Sequence, residues 1–157
     1  MKEILFVCSG NTCRSPMAEY LLKSELKKNG ITGYSVSSSG LSAFPNMPAS
    51  QNAILALAEL EISEIKNHRS RYLSPDSLTK SDYIICMTEY IKNSLQINHP
   101  EFYNKLFTLK NIDKSNQEGN PNINDPFSGN LEDYIECRDE ILDCIKKIIE
   151  KIKKGSF

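Results

Sequence analysis

The stretch Lys2-Glu-Ile-Leu-Phe-Val-Cys8-Ser-Gly-Asn-Thr-Cys-Arg14-Ser-Pro-Met-Ala-Glu-Tyr-Leu-Leu22 changes character twice along its length. Ile4 to Val7 is an unbroken apolar run, the pattern of a strand covered on both faces. Met17 to Leu22 is rich in helix formers and follows Ser15-Pro16, a common helix start. Between them lie Cys8 to Arg14, with Gly10 where the backbone is expected to turn sharply. The whole therefore reads as strand, anion-binding loop, helix. A thiol at Cys8 would meet aligned backbone N–H groups, the positive end of a helix dipole and the Arg14 guanidinium, all of which favour a thiolate and a bound phosphate. The Cys-x5-Arg spacing alone carries little weight, because five Cys and four Arg produce such pairs readily by chance. The strand before it, the glycine within it and the helix start after it are independent of that spacing. No G-x-x-x-x-G-K-[ST] stretch occurs, so a nucleotide P-loop is not the explanation.

The rest of the chain repeats the alternation. Lys2 to Val7, Tyr34 to Ser38, Tyr83 to Met87 and Leu106 to Leu109 read as strands. Helical periodicity covers Pro16 to Asn29, Pro48 to Leu60, Pro75 to Lys80, Glu89 to Asn98 and Leu131 to Lys153. This order predicts an α/β fold, a single-domain open parallel sheet of about four strands with helices on both faces, spanning residues 1–157. Ligands of such sheets bind beyond the carboxyl ends of the strands, at a topological switch point, and Cys8 lies at such an end. Asn111 to Asn130 lacks apolar periodicity and is expected to be a long loop, a type of segment that often carries function. The last helix gathers Ile141, Leu142, Ile145, Ile148, Ile149 and Ile152 on one face and ends in lysines, which suits a core-facing helix with cations at its C-terminus.

A formal charge of −1 offers no global attraction to nucleic acid, and no apolar run approaches the roughly 18 residues that span a bilayer. Any preference for anions must then be local. An apolar strand begins within two residues of the N-terminus, with none of the regions of a secretory leader, so a cytoplasmic location is expected. Five cysteines without paired spacing and only two histidines suggest neither a disulfide framework nor a metal site. Cys86, Cys137 and Cys144 fall in apolar or helical stretches, where a free thiol packs as a small hydrophobe.

Val7-Cys-Ser-Gly-Asn-Thr-Cys-Arg-Ser-Pro-Met-Ala-Glu19 resembles the active-site signature of the low-molecular-weight protein tyrosine phosphatase family. The likeness extends along most of the chain. Ser39-Gly40 resembles the family's Ser-Ala-Gly, with Ser38 in place of Ala. His68-Arg-Ser-Arg71 resembles its His-x-Ser/Ala-Arg segment, and Asp125-Pro126 sits in the late loop where the family carries its general acid. The resemblance implies a flavodoxin-like phosphatase fold and three catalytic groups. Cys8 would be the nucleophile that becomes a phosphocysteine, Arg14 the clamp on equatorial phosphoryl oxygens, and Asp125 the general acid and then base. Ser9, Gly10, Asn11, Thr12, Cys13, Arg14 and Ser15 would form the phosphate cradle. Ser15 would also donate to the Cys8 thiolate, with helix N-capping as its plainer role. Asn11, Ser39 and His68 would support the loop from behind. Cys13 would protect Cys8 by a reversible disulfide under peroxide, as a neighbouring cysteine does in the family. The implied partners are phosphorylated proteins, with inorganic phosphate as product and competitive ligand. No cofactor, metal, nucleic acid or membrane is implied, and a monomer is expected.

Within the family, the chain is most similar to the bacterial protein-arginine phosphatase branch. Thr12 stands where many tyrosine phosphatases carry a bulky aliphatic residue, Met87-Thr88 where they commonly carry Met-Asp, and Asp125-Pro-Phe127 where they commonly carry Asp-Pro followed by Tyr. Thr12 and Phe127 are thus the expected specificity residues. A small polar side chain beside the phosphate leaves room and hydrogen-bonding capacity for a guanidino group, and Phe127 offers a wall on which its plane can stack. Phosphotyrosine is the alternative substrate. A thioredoxin-coupled arsenate reductase shares the first loop, but Thr88 to His99 contains no further cysteine to relay a disulfide. A catalytically silent phosphate-binding protein would not be expected to keep Cys8, Arg14 and Asp125 together.

Overall fold

The computed structural model describes residues 1–113 and 119–157. Among these residues four parallel strands form one sheet: β1 (Lys2–Cys8), β2 (Tyr34–Gly40), β3 (Tyr83–Cys86) and β4 (Leu106–Thr108), in the order β2-β1-β3-β4. Among the described residues five α-helices connect and cover them: α1 (Arg14–Lys28), α2 (Gln51–Ala58), α3 (Pro75–Lys80), α4 (Glu89–Asn98) and α5 (Leu131–Lys153). β1 pairs with β2 from Lys2↔Tyr34 to Cys8↔Gly40 and with β3 from Ile4↔Tyr83 to Val7↔Cys86. Being flanked on both edges, β1 buries every side chain from Ile4 to Cys8, which is why its sequence runs apolar without alternation.

The order places a switch point at β1. The chain steps from β1 outward to β2 through α1, and in the opposite direction from β3 to β4 through α4. Right-handed crossovers running in opposite directions set their helices on opposite faces of the sheet. α1, α2 and α5 pack together on one side, while α4 lies against β3 and β4. The loop after Cys8 opens into the crevice between these two courses.

Several boundaries follow from local chemistry. α3 begins with Pro75 after the Ser74–Ser77 capping box, α4 with Thr88 accepting from the Ile91 N–H at 3.2 Å, and α5 with the Asn130–Asp133 box. α2 starts at Gln51 rather than Pro48, because the Ser50 N–H is drawn to the Thr12 carbonyl at 2.9 Å. α1 starts at Arg14, two residues before Pro16, so Ser15 lies inside its first turn rather than at its cap. Two short 3-10 turns, Glu64–Asn67 and Pro100–Lys105, lie in the connections before α3 and β4. Of the long loop from Asn111 to Asn130, residues 114–118 lie outside the described residues; 119–130 run without regular structure.

The core joins Phe6, Val7, Met17, Leu22, Ile84, Ile85 and Met87 to the α5 face of Ile141, Ile145, Ile148 and Ile149. Cys86, Cys137 and Cys144 are all buried, and burial pushes their thiols up to about 12, 12 and 11 respectively. Arg138 is buried on α5, donating to the Ala56 carbonyl and to Glu59 at 2.8 Å, which ties α5 to the end of α2.

Candidate active site

Cys8 ends β1 with its side chain 2% exposed. The loop that follows curls so that the Asn11 N–H points back at Cys8 Sγ, 3.2 Å away, and the Ser15 hydroxyl sits 2.8 Å from the same sulfur. The turn is made by Asn11, whose φ of 57° is left-handed, and not by Gly10 as its sequence position suggests. Asparagine holds this conformation because its side chain bonds in three directions. Nδ2 donates to the Ser15 and Ser38 hydroxyls at 2.9 Å each, and Oδ1 accepts from the Arg71 N–H at 2.9 Å.

Those bonds also orient the hydroxyls. Since the amide can only donate through Nδ2, Ser15 Oγ accepts there and its own proton is left for Cys8 Sγ. Ser38 in the same way accepts from Asn11 and donates to Glu19 Oε2 at 2.5 Å. Ser38 rather than Ser39 is therefore the strand residue that reaches the loop; adjacent strand residues point to opposite faces, which decides between them. Glu19 is almost fully buried on α1 and takes a second bond from Lys23 at 2.6 Å.

His68 braces the loop from below, with Nε2 2.8 Å from the Asn11 carbonyl. A carbonyl only accepts, so the neutral ring carries its proton on Nε2. Nδ1 is then buried with no hydrogen-bond partner among the described residues, 4.0 Å from Glu19 Oε2. Burial lowers the His68 pKa, against the opposing pull of the Asn11 carbonyl and Glu19. Gly40, at the end of β2, is needed for close approach. A Cβ there would stand 2.6 Å from the Ser9 carbonyl oxygen and 3.0 Å from Asn11 Cβ.

Arg14 opens α1 and is buried, its Nη1 donating to the Ile123 carbonyl at 3.0 Å. Its Nη2 lies 3.5 Å from Asp125 Oδ2. Asp125 Oδ1 accepts from the Phe127 N–H at 3.0 Å, a local turn that presents both residues to the site. Cys8, Gly10, Asn11, Thr12, Cys13, Arg14, Asp125 and Phe127 thus line one cleft of about 220 Å³. Thr88 is not part of it; its hydroxyl caps α4.

The electrostatics of Cys8 are divided. Burial raises its pKa, while the Ser15 hydroxyl, the Ser15 and Asn11 N–H groups and the Arg14 charge draw it down. The net direction is upward, against the lowered thiol expected from the loop pattern. The bonds and charge aimed at the sulfur act toward its anion but are outweighed by burial. Cys8 and Cys13 are both free thiols. Cys13 Sγ meets Tyr134 Oη at 3.3 Å, Ser50 Oγ at 3.4 Å and Thr12 Oγ1 at 3.7 Å. Burial and the Cys13 contact push Tyr134 up to about 12.

The cleft can hold a tetrahedral anion against backbone N–H groups and a guanidinium, with a thiol beneath it and a carboxyl at its mouth. Glu19, Ser38, Arg71, Ser50 and Tyr134 support this arrangement, although the sequence assigns none of them a role. Glu19, Ser38 and Arg71 stand within or beside the family-like motifs, and Glu19 carries a further signal, a charge among the core-facing Ala18, Leu21 and Leu22 of α1. Among the described residues no group of His, Cys, Asp and Glu gathers as metal ligands, and no helix is long and apolar enough to cross a membrane.

Residues 3–156 match the family described as low molecular weight phosphotyrosine protein phosphatase, and the chain belongs to that family. It is accordingly a protein phosphatase. It is 36% identical to a protein-arginine-phosphatase of Bacillus subtilis, over 97% of each chain. It also superposes, with a TM-score of 0.89 and 34% identity, on a YwlE arginine phosphatase mutant with a phosphorylated active-site serine, covering 97% of this chain and 96% of that one. A low molecular weight protein tyrosine phosphatase from T. tengcongensis is 35% identical with a TM-score of 0.87, covering 96% and 99%.

Proposed function

We propose that the chain hydrolyses phosphoarginine in proteins through a phosphocysteine, with Cys8 as nucleophile, Arg14 as phosphate clamp and Asp125 as general acid and base. The observation that carries the reading is Thr12, which lines the same small cleft as Cys8, Asp125 and Phe127. A short hydroxyl-bearing side chain there leaves space and a polar partner beside the phosphoryl group, and Phe127 supplies a flat apolar wall for a guanidino plane. The 36% identity to a protein-arginine-phosphatase supports it.

In the first step Cys8 Sγ attacks phosphorus in line. The S–P bond forms as the P–N bond breaks, and Asp125 passes its proton to the departing guanidino nitrogen. Arg14 uses one donor on the Ile123 carbonyl, which leaves the other guanidinium N–H groups for the phosphoryl oxygens. The backbone N–H groups from Ser9 to Ser15 meet the remaining charge. In the second step ionised Asp125 takes a proton from water, water attacks phosphorus, and the S–P bond breaks to return the thiolate. The Ser15 hydroxyl and Asn11 N–H receive that thiolate, and proton transfer by a placed carboxyl contributes about 10² to 10⁴ in rate. Inorganic phosphate, the product, fits the same cradle and competes with substrate. Peroxide inactivates the enzyme reversibly through a Cys8–Cys13 disulfide. A monomer acting in the cytoplasm completes the proposal.

Phosphotyrosine is the second reading, because the apolar face of Phe127 also suits a phenyl ring. Hydrolysis of phosphoarginine and phosphotyrosine peptides by wild type, Cys8→Ser and Thr12→Ile decides between them. Wild type is expected to favour phosphoarginine, Thr12→Ile to shift toward phosphotyrosine by about tenfold or more, and Cys8→Ser to be inert. A wild-type preference for phosphotyrosine would sink the assignment.

A further inference from the structure

Two buried side-chain atoms lack a hydrogen-bond partner among the described residues, His68 Nδ1 and Thr108 Oγ1. The first stands 4.0 Å from Glu19 Oε2, within the support of the phosphate cradle. The second has no place in the chemistry above. Thr108 ends β4, is 1% exposed, and lies opposite Cys86 of β3, with its carbonyl accepting from the Asn111 N–H at 3.1 Å. A buried hydroxyl without a partner costs stability, while valine has the same outline and the same preference for strands. Threonine here forgoes stability that valine would keep, so its hydroxyl calls for a partner from outside the chain.

Thr108 borders a cavity of about 570 Å³, between α4, the turn Pro100–Lys105 and the end of β4. Lys92, Tyr103, Asn104, Phe107 and Asn111 line it too. Lys92 is half-buried on α4, and among the described residues its ammonium has no salt bridge or hydrogen bond. The side-chain amides of Asn104 and Asn111 are likewise unpaired there. No Asp or Glu lines the cavity. It shares no residue with the cleft of Cys8, Arg14 and Asp125.

We propose that this cavity binds a small aromatic carboxylate, independently of the phosphatase cleft. Its volume is that of an ordinary small-molecule site. Lys92 meets the anionic end, and a single lysine without an arginine suits one charge better than the double charge of a phosphate. Tyr103 and Phe107 offer ring faces to a flat apolar body. The Thr108 hydroxyl and the Asn104 and Asn111 amides then find oxygen atoms to bond, which satisfies the orphan at the end of β4.

Backbone amide shifts by NMR test this with benzoate, 4-hydroxybenzoate and phenylacetate as probes, orthovanadate filling the catalytic cleft. At least one probe is expected to give saturable shifts at Lys92, Asn104, Thr108 and Asn111. Lys92→Met should weaken it by about tenfold and Thr108→Val by about fivefold. Without a probe, Thr108→Val should move the urea midpoint upward, because an unbonded hydroxyl has been removed, and turnover of para-nitrophenyl phosphate should stay unchanged as the control for an intact fold. Added probe should then stabilise wild type more than Thr108→Val. The site is overturned if no probe shifts these amides, if orthovanadate abolishes the shifts, or if affinity survives intact in Lys92→Met. A urea midpoint lowered in Thr108→Val would also overturn it, by showing that the hydroxyl already has its partner within the chain.

Discussion

Ser15 accepts a hydrogen bond from Asn11 and donates one to Cys8, so it passes the polarity of a buried amide to the sulfur. Burial pushes the Cys8 thiol up, and the Ser15 hydroxyl is the largest influence acting against it. Ser15→Ala should therefore raise the thiol further. The acidic limb of the kcat/KM profile should move to higher pH, and the rate near neutrality should fall by about 10- to 100-fold. A profile that keeps its acidic limb would show that the hydroxyl acts only on packing. Gly40 yields a second expectation. A methyl there would press on the Ser9 carbonyl and Asn11 Cβ. Gly40→Ala should lower turnover of para-nitrophenyl phosphate sharply and cost about 1–3 kcal/mol in urea unfolding, as overpacking does. Unchanged turnover would mean that the loop moves aside freely.

At the level of elements, β1, the loop and α1 were legible because each has a local cause. The apolar run from Ile4 to Val7, the helix formers from Met17 and the intervening Cys8 and Arg14 fall within some twenty residues. The strands at Tyr34, Tyr83 and Leu106 and the helices at Pro75, Glu89 and Leu131 also emerged close to their structural bounds, each opened by a cap or set by apolar pattern. What escaped was whatever depends on distant chain. Gly10 looked like the turn, yet left-handed geometry falls on Asn11 because Ser15, Ser38 and Arg71 are there to hold its amide. Ser39 looked like the support, yet strand alternation turns Ser38 toward the loop. In the sequence Cys13 has only Cys8 as a neighbouring thiol. Tyr134, more than a hundred residues downstream on α5, is the group that its thiol meets, and no local pattern announces that contact.

For the whole molecule the buried His68 couples folding to pH. In the unfolded chain imidazole takes up a proton near 6.5, whereas burial lowers the folded value. Between those two values the unfolded chain binds more protons, so stability rises with pH through that window and falls as pH drops below about 6.5. Urea unfolding of wild type should show this loss on going from pH 7.5 toward 5, and His68→Asn should flatten it. An equal loss in both proteins would place the acid sensitivity elsewhere.

The ties of Thr12 have a consequence for how this enzyme class diversifies. Its backbone carbonyl anchors the start of α2 through Ser50, while its side chain lines the cleft and pairs its hydroxyl with the Cys13 sulfur at 3.7 Å. The amide hub that shapes the loop belongs to its neighbour Asn11. Position 12 can therefore exchange one side chain for another without loosening the frame that holds the thiol. Under the specificity role proposed for Thr12, leaving-group choice is a separable module, open to mutation in a single step, and a shared chemical engine can drift between phosphorylated residues while its architecture stays still.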